Sequence, residues 1–330
     1  MAYIEVNELV KDYKIFDKPK GFLHVAKSIF VRTYHTKRAV DHIDFSINKG
    51  EVVGYIGPNG AGKSTTIKML SGILMPTEGQ ISVDGREPWK ERKQNSLHMG
   101  VVFGQRSQLF WDLPVEDTFD LFRKIYKVDD VKFKRNVEFY VELLDMKEFL
   151  RQPVRQLSLG QKMRANIAVA LLHDPDIVYL DEPTIGLDVV AKNKIRNFIR
   201  AVNEEKHTTV ILTTHDMDDI EIICKRLIMI DHGKKLYDGT LSDFKRSYKG
   251  ESVVSIEFET EEEFVMPEGE QPFSILEKNG AKYLFRYERE KITPAEVAYC
   301  VSKNRPIVDM GMQDTDIEYI VRSMYEGKEI

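Results

Sequence analysis

Two spacings of apolar residues alternate along the first two thirds of the chain. Residues 52–56 and 177–180 are short, almost wholly apolar runs, as strands buried on both faces of a sheet are. Residues 40–47 alternate apolar and polar positions, which predicts a half-buried strand. Segments with helical spacing separate these runs, including one from about 190 to 205. The pattern predicts an α/β fold with a mainly parallel sheet and helices on both faces.

Two further regions are predicted around this core. From about 106 to 172 the apolar spacing is mostly helical, which predicts a helical subdomain. The composition shifts near 247–250, so we expect one domain over 1–246 and another over 250–330. The second domain is predicted to be a small α+β domain. Its predicted strands lie at 252–259, 272–278, 281–288 and 306–311, and its predicted helices at 294–304 and 314–326.

Residues 17–38 form an insertion of different character between two predicted strands. Apolar residues recur there at helical spacing, namely Phe22, Val25, Ala26, Ile29 and Phe30. Basic residues follow them, so the segment is predicted to be a short amphipathic helix. Its apolar face could pack on its own domain, on a partner subunit or on a lipid headgroup surface. The sequence leaves these alternatives open.

Composition narrows the classes of function. The 330 residues are 42% hydrophobic and 31% charged, and their net charge of −5 gives no reason to expect nucleic acid as a partner. Cys224 and Cys300 lie far apart and form no metal or redox motif, which fits a reducing compartment. No apolar stretch approaches the ~20 residues of a membrane span, and the N-terminus lacks the layout of a signal peptide. We therefore expect a cytoplasmic chain that does not enter the bilayer.

A glycine-rich loop follows the apolar run at 52–56 and leads into a helical pattern. It reads GPNGAGKST, comprising Gly57, Pro58, Asn59, Gly60, Ala61, Gly62, Lys63, Ser64 and Thr65. Between a strand and a helix N-terminus, such a loop presents backbone N–H groups and the positive end of the helix dipole to an anion. Lys63 is placed to reach the β- and γ-phosphates of a nucleotide, and the Ser64 hydroxyl to ligate Mg²⁺. The pattern is too specific for a glycine-rich turn without a ligand.

Polar residues suited to phosphoryl transfer stand at the ends of further predicted strands. Asp181 ends an apolar run, where a Mg²⁺ shared with Ser64 would compensate its charge. Glu182 is predicted to be the general base for the attacking water. Gln105 is expected to contact both Mg²⁺ and that water, and His215 to hydrogen-bond the γ-phosphate. Each has a structural alternative when taken singly, but together they occupy the edge where open α/β sheets bind ligands.

Together these motifs resemble the ATP-binding subunit of an ABC transporter over residues 1 to about 245. They are the glycine-rich loop, Gln105, LSLGQ at 157–161, IVYLDEP at 177–183, Gly186-Leu187-Asp188 and His215. The resemblance implies a P-loop NTPase core with an N-terminal antiparallel β subdomain and a helical signature subdomain. It also implies ATP and Mg²⁺ as cofactors, and hydrolysis to ADP and phosphate.

In this family two nucleotide-binding domains face each other head to tail. By the resemblance, Ser158 and Gly160 of one copy close over the γ-phosphate held by Lys63 of the other, and Gln161 and Asp188 belong to the same nucleotide site. The partner is then a second copy or a paired nucleotide-binding subunit. Transmembrane subunits are implied as separate chains, which would hold this one at the inner face of the cell membrane.

Three features depart from the family pattern. Leu159 replaces a glycine of the signature, which lowers the flexibility of the loop and implies slow or substrate-gated hydrolysis. Ile185 stands where serine is usual, which affects only contacts across the dimer. An aromatic residue near the first strand stacks on adenine in the family, and the insertion leaves two candidates. Tyr13 has the usual context and Tyr34 has the usual spacing to Ala39; we favour Tyr13.

The insertion and the C-terminal domain resemble those of subunits that serve type-2 ABC exporters for polysaccharides, lipids and drugs. The C-terminal domain is similar to the small ferredoxin-like domain that follows many such subunits, and a structural or dimer-stabilising role is favoured over ligand sensing. Residues 110–114 place large apolar side chains just after Gln105. In the family this region meets the coupling helix of the membrane subunit, so we predict a partner contact there instead of local core packing.

Two other functions compete with that of a transporter subunit. A soluble ABC-type ATPase of translation or DNA repair usually carries a second such domain or a long coiled coil, and neither occurs in this sequence. A binding module held closed by ATP without turnover conflicts with the retention of Glu182 and His215. Leu159 leaves some room for that second alternative. The transported substrate is not encoded in this chain.

Overall fold

The computed structural model describes residues 2–16, 34–104, 106–247, 251–266, 272–303, 305–313 and 317–325. The chain divides into two compact units, Met1–Leu241 and Ser242–Ile330. The amphipathic helix predicted between 17 and 38 lies largely outside the described residues, and so does Gln105. No helix in the described ranges is long and apolar enough to cross a membrane.

The first unit alternates strands and helices along the chain. Its strands are β1 (Ile4–Phe16), β2 (Tyr34–Ile47), β3 (Val52–Ile56), β4 (Glu78–Val83), β5 (Met99–Phe103), β6 (Ile177–Asp181), β7 (Thr209–Thr213), β8 (Arg226–Asp231) and β9 (Lys234–Thr240). Its helices are α1 (Lys63–Leu70), α2 (Arg92–His98), α3 (Val115–Tyr126), α4 (Asp130–Leu143), α5 (Leu159–Leu171), α6 (Val189–Lys206) and α7 (Met217–Ile223). A 3₁₀ turn at Val154–Gln156 precedes α5.

The central sheet has the order β5-β6-β7-β3-β8-β9. Its strands are parallel except for β9, which runs antiparallel to β8. Every residue of β3, β6 and β7 is buried, as their apolar sequences predict for strands covered on both faces. Because Phe103, Asp181 and Thr213 pair in register across β5, β6 and β7, the chain leaves these strands at one edge of the sheet. The predicted α/β core is confirmed.

A second sheet, with the order β2-β1-β4, is antiparallel. The strand expected at 40–47 begins earlier, at Tyr34, because β1 and β2 stay paired as far as Phe16 and Tyr34. Arg38 donates from Nε and Nη2 to the two carboxylate oxygens of Asp12, at 2.9 and 3.1 Å, and so links the arms of this hairpin. The apolar alternation predicted only the buried part of β2, because the exposed part of this strand is held by its pairing with β1.

Helices α3, α4 and α5 form the helical part of the first unit. Asp129 caps α4 by accepting from the backbone N–H groups of Val131 and Lys132. The sequence predicted α4 only as part of the helical region from about 106 to 172, since its buried positions Asn136 and Tyr140 are polar or amphipathic. Both donate to carbonyl oxygens at the C-terminal end of α5, Asn136 to Leu172 at 3.0 Å and Tyr140 to Leu171 at 3.2 Å. These bonds let polar side chains take core positions.

The second unit is a four-stranded antiparallel sheet with helices. Helix α8 (Leu241–Ser247) begins at the last residue of the first unit. The second unit continues with β10 (Glu251–Phe258), β11 (Phe273–Asn279), β12 (Lys282–Glu288), α9 (Pro294–Ser302), β13 (Ile307–Gln313) and α10 (Ile317–Tyr325). The sheet order is β11-β12-β10-β13. Its core is rich in aromatic residues, with Phe258, Tyr283 and Phe285 fully buried. A capping box between Thr293 and Glu296 begins α9, as the sequence Thr-Pro-Ala-Glu favours.

Candidate nucleotide site

The glycine-rich loop joins β3 to α1 and is held tightly by its neighbours. A Cβ on Gly57 would lie 2.4 Å from the carbonyl oxygen of Ile230. At Gly62 the backbone φ is +112°, and a Cβ there would lie 2.5 Å from the carbonyl oxygen of Ala39. Since no other residue tolerates such contacts, these two glycines allow β8 and the β1–β2 hairpin to approach the loop.

Lys63 is the first residue of α1 and is only 6% exposed. Its ammonium donates to the carbonyl oxygens of Gly57 at 2.5 Å and Pro58 at 3.2 Å. Burial lowers the pKa of Lys63, while the nearby carboxylates of Glu182 and Asp181 act in the opposite direction. A cation is therefore kept inside the loop at the N-terminus of a helix, where both charge and dipole favour phosphate.

Asp181 lies at the carboxyl end of β6 with both carboxylate oxygens occupied. Ser64 Oγ donates to Oδ2 at 2.9 Å, and Thr213 Oγ1 donates to Oδ1 at 2.5 Å. Mg²⁺ prefers hard oxygen donors and is commonly held by one or two carboxylates together with substrate phosphates. One carboxylate beside a serine hydroxyl fits that donor set. The structure thus brings together Ser64 and Asp181, as expected of metal ligands, and adds Thr213.

Glu182 and His215 meet at the same edge of the sheet. His215 Nε2 lies 2.7 Å from Glu182 Oε1. Glu182 has a left-handed φ of 55°, and its N–H donates to the carbonyl oxygen of Thr213 at 2.9 Å. Glu182 lines the same cavity as Lys63. A carboxylate held by an imidazole next to a phosphate-binding loop can accept a proton from water.

The loop and the hairpin enclose a cavity of about 590 Å³. Its lining includes Tyr13, Lys14, Ile15, Lys37, Ala39, Asn59, Gly60, Gly62, Lys63, Ser64, Thr65 and Glu182. Tyr13 OH lies 3.5 Å from Thr65 Oγ1. Tyr34, the alternative aromatic residue, instead packs edge-on against Phe16 with ring centroids 5.7 Å apart. The position of Tyr13 therefore favours it over Tyr34 as the residue that meets a nucleotide base.

The signature loop begins α5 in a different part of the unit. Ser158 caps the helix: its Oγ accepts from the Gln161 N–H at 3.2 Å, and its own N–H donates to Gln161 Oε1 at 2.8 Å. None of these residues is among the described residues that line the cavity. A Cβ on Gly160 would lie 3.0 Å from Ala191 Cβ. The loop therefore packs closely on the N-terminus of α6, where Asp188 accepts from the Ala191 N–H at 2.8 Å.

Leu159 and Ile185, the two aliphatic residues that depart from the family pattern, lie near each other in this region. Leu159 Cδ2 would be 3.4 Å from a Cβ on Gly186, so the Leu159 side chain rests against the turn that follows Ile185. Leu159 and Ile185 are both exposed. The leucine that replaces the family's glycine thus makes an additional contact between the signature loop and the turn after β6.

The sequence pointed to most of this site but missed several of its residues. Thr213, Lys14 and Lys37 were not proposed, although Thr213 ends a buried strand as Asp181 does. That position was the available signal for Thr213. Lys14 and Lys37 had no such signal in the sequence, since charged residues are common on the exposed strands of a hairpin. Only the tertiary structure brings these two lysines to the loop.

Large apolar side chains are exposed between β5 and α3. Trp111 is 61% exposed, and Phe110 and Leu113 are exposed beside it. The Lys162 ammonium lies 4.7 Å from the centroid of the Trp111 ring. These residues do not fill the local core, so the prediction of a partner contact at 110–114 stays open to experiment.

Known proteins show which family has this arrangement. The family model described as ABC transporter matches residues 40–185. The ABC transporter ATP-binding protein NatA of Bacillus subtilis (strain 168) is 33% identical over 216 residues, which are 66% of this chain and 87% of NatA. The chain belongs to the ABC transporter ATP-binding proteins.

Other similarities agree with this assignment. The linearmycin resistance ATP-binding protein LnrL of Bacillus subtilis (strain 168) is 34% identical over 225 residues, which are 68% of this chain and 72% of LnrL. A dimeric structure of the ATP-binding cassette MJ0796 in a post-hydrolysis state, bound to ADP and Pi, is similar with a TM-score of 0.60 and 25% identity. The similarity covers 72% of this chain and 98% of that one.

As an ABC transporter ATP-binding protein, the chain binds ATP and hydrolyses it. Such subunits dimerise and work with transmembrane subunits. The predictions of the family, of the P-loop fold and of an ATPase that serves transport are confirmed, and the alternative of a translation or repair factor is not supported.

Proposed function

We propose that this ABC transporter ATP-binding protein powers an exporter, with ATP and Mg²⁺ bound at the loop between β3 and α1. The convergence of Lys63, Ser64, Asp181, Glu182 and His215 at one edge of the sheet is the observation that carries the proposal. Export is supported by the similarity to LnrL, whose name assigns it to resistance against linearmycin, and by the resemblance to type-2 exporter subunits.

Each of these residues has a distinct role in the proposed reaction. Lys63 and the N-terminus of α1 hold the β- and γ-phosphates, and Tyr13 stacks on the base. Ser64 and Asp181, together with Gln105, would hold Mg²⁺, which supplies charge stabilisation to the phosphates. Glu182 accepts a proton from the attacking water, and His215 orients the Glu182 carboxylate and contacts the γ-phosphate. Positioning and charge account for most of the catalysis of phosphoryl transfer.

We further propose that the active site is shared between two copies. The signature loop, with its exposed Ser158, lies apart from the cavity of its own chain. Ser158 and Gly160 begin α5, whose N-terminus favours an anion such as the γ-phosphate of the partner's nucleotide. ATP would then bridge two chains, closing the dimer before hydrolysis and letting it open afterwards.

The exposed residues Phe110, Trp111 and Leu113 are proposed to contact the transmembrane subunits. Exposed aromatic and aliphatic side chains in one loop are unusual for a surface that meets only water. Through this contact the chain would lie on the inner face of the cell membrane. Co-purification with a membrane protein that is lost in Trp111→Asp, while ATPase activity is retained, tests this contact; retained co-purification would contradict it.

The shared site is tested with Glu182→Gln in the full chain. Removing the base is expected to lower kcat by about 10²–10⁴-fold, so ATP with Mg²⁺ should trap a dimer that light scattering detects as a doubled mass. Lys63→Ala is expected to bind no nucleotide and stay monomeric. Glu51→Gln serves as the matched control, because Glu51 pairs with Arg226 at 3.0 Å and lies outside the described lining of the cavity.

A Glu182→Gln variant that binds ATP but remains monomeric at saturation would refute the shared site. ATPase activity equal to that of Glu51→Gln would refute the role of Glu182.

A further inference from the structure

A fully buried carboxylate lies behind the proposed active site. Asp219, in α7, is 0% exposed. Its Oδ1 accepts from Arg196 Nε at 2.6 Å, and its Oδ2 accepts from Thr214 Oγ1 at 2.9 Å and also from Thr184 Oγ1. A buried charge with a guanidinium partner and two hydroxyl donors is satisfied on both oxygens.

The two hydroxyl groups belong to the two loops that carry the proposed reacting side chains. Thr184 comes two residues after Glu182, and Thr214 immediately precedes His215. Both threonines are 2% exposed. A single oxygen atom of Asp219 therefore ties the turn after β6 to the turn after β7, at the point where Glu182 and His215 lie 2.7 Å apart.

The cation that compensates Asp219 is itself fixed in place. Arg196, in α6, is 5% exposed. Its Nη2 donates to Asp216 Oδ1 at 3.2 Å, and Asp216 accepts from Lys192 Nζ at 2.5 Å. Asp216 also closes the His215 turn, because its N–H donates to Thr214 Oγ1 at 3.0 Å. The guanidinium thus holds α7 and the His215 turn against α6.

We propose that Asp219 is a positioning residue for ATP hydrolysis, which sets the Glu182 and His215 side chains at their working separation through Thr184 and Thr214. The inference rests on the proposed roles of Glu182 and His215. Asp219 lies behind the two turns, so it acts on the reaction only through them. Loss of its bonds should slow the chemical step and leave the phosphate-binding loop, which is built on other strands, able to bind ATP.

The sharpest variant is Thr184→Val, which removes one hydroxyl at nearly constant volume. We expect kcat of the full chain to fall by about 10- to 100-fold, because small misplacements of a reacting group have effects of that size, while KM for ATP changes by less than about twofold. Thr184→Ser should restore most of the rate. The matched control is Thr209→Val, which also removes a buried, hydrogen-bonded hydroxyl. Thr209 Oγ1 accepts from the Gly50 N–H at 3.0 Å, but it lies at the opposite end of β7 from Thr213.

A second measurement separates positioning from general loosening. If Thr184 acts through Glu182, Thr184→Val should cause no further fall in rate in the Glu182→Gln background, since the residual reaction no longer uses that carboxylate. Asp219→Asn should lower kcat at least as much as Thr184→Val. It should also lower the unfolding midpoint, because it leaves Arg196 buried without its nearest anion. Since a loss of stability would complicate the interpretation of a slower rate, the test relies on the threonine variants.

Several results would overturn the inference. Equal kcat values for Thr184→Val and Thr209→Val would do so, and so would a Thr184→Ser variant as slow as Thr184→Val. A fall of the same size with and without the Glu182 carboxylate would mean that the hydroxyl only stabilises the domain. If Glu182→Gln hydrolysed ATP as fast as Glu51→Gln, the proposed role of Glu182 would fail, and this inference with it.

Discussion

His173 is a buried histidine whose protonation should set the acid stability of the first unit. Its ring stacks on Tyr126 of α3 at 3.9 Å with an interplanar angle of 6°, and its Nε2–H donates to the carbonyl oxygen of Met99 at 3.1 Å. Nδ1 is buried without a hydrogen-bond partner. Burial lowers the pKa of His173 from 6.5 to about 4; the hydrogen bond to Met99 opposes this most, Lys132 and His98 act in the same direction as burial, and Asp174 acts against it.

The sign and size of the effect follow from this shift. Above pH 6.5 the histidine is neutral in both states, so its full contribution to stability is present. Between pH 6.5 and 4 the unfolded chain binds a proton that the folded chain does not, and stability falls by about 1.4 kcal/mol per pH unit. At pH 5 the loss attributable to His173 is therefore about 2 kcal/mol, and below pH 4 it no longer grows.

Urea unfolding of the full chain at pH 7 and pH 5 measures this loss. The tryptophans Trp89 and Trp111 both lie in the first unit, so their fluorescence reports its unfolding. His173→Phe places a ring at the same position but cannot titrate. Between pH 7 and pH 5, the free energy of unfolding of this variant should therefore fall by about 2 kcal/mol less than that of the wild type.

The control for this experiment is His232→Gln. The His232 side chain is 94% exposed and meets water in both states, so this variant should follow the wild type. Parallel pH dependences for His173→Phe and the wild type would refute the reasoning that burial keeps His173 neutral.

Two further predictions concern nucleotide binding. Gly62→Ala should weaken ATP binding by at least about tenfold in calorimetry, because its Cβ would meet the Ala39 carbonyl oxygen at 2.5 Å and the residue has a φ of +112°; wild-type affinity would show that the hairpin can yield. Tyr13→Ala should weaken ATP binding by about 5- to 150-fold, the usual range for loss of a base–aromatic stack. Tyr34→Ala should have little effect, and the reverse order would assign the stacking residue to Tyr34.

The sequence predicted the elements with the strongest periodicity. The buried strands β3 and β6 were found because their apolar runs are local signals, and the helical part of the first unit was found from its helical spacing. The short helices α2 and α7 were missed: each has seven residues, too few for a clear helical period. The early start of β2 was also missed, because the exposed part of a hairpin has no apolar alternation and is defined by its cross-strand partners.

The candidate site shows the same division between local and tertiary signals. The loop from Gly57 to Thr65 could be recognised because closely spaced glycines and a lysine at a helix N-terminus are a local requirement for phosphate. Glu182 and His215 could be proposed as strand-end residues, but their contact depends on β6 and β7 being neighbours in register. Asp219 carried no signal at all, since an aspartate in an acidic run is usually exposed.

The sequence by itself determined the kind of ligand and the chemistry: a triphosphate loop and strand-end carboxylates need only short stretches of chain, because strand, turn and helix propensities act locally. Only the tertiary structure decided which side chains meet. It brought Lys37 beside Tyr13, separated Ser158 from its own chain's cavity, and buried Asp219 beneath both reacting loops. Such contacts join residues far apart in the chain, and their energies come from burial and from hydrogen bonds that exist only once the sheet has assembled.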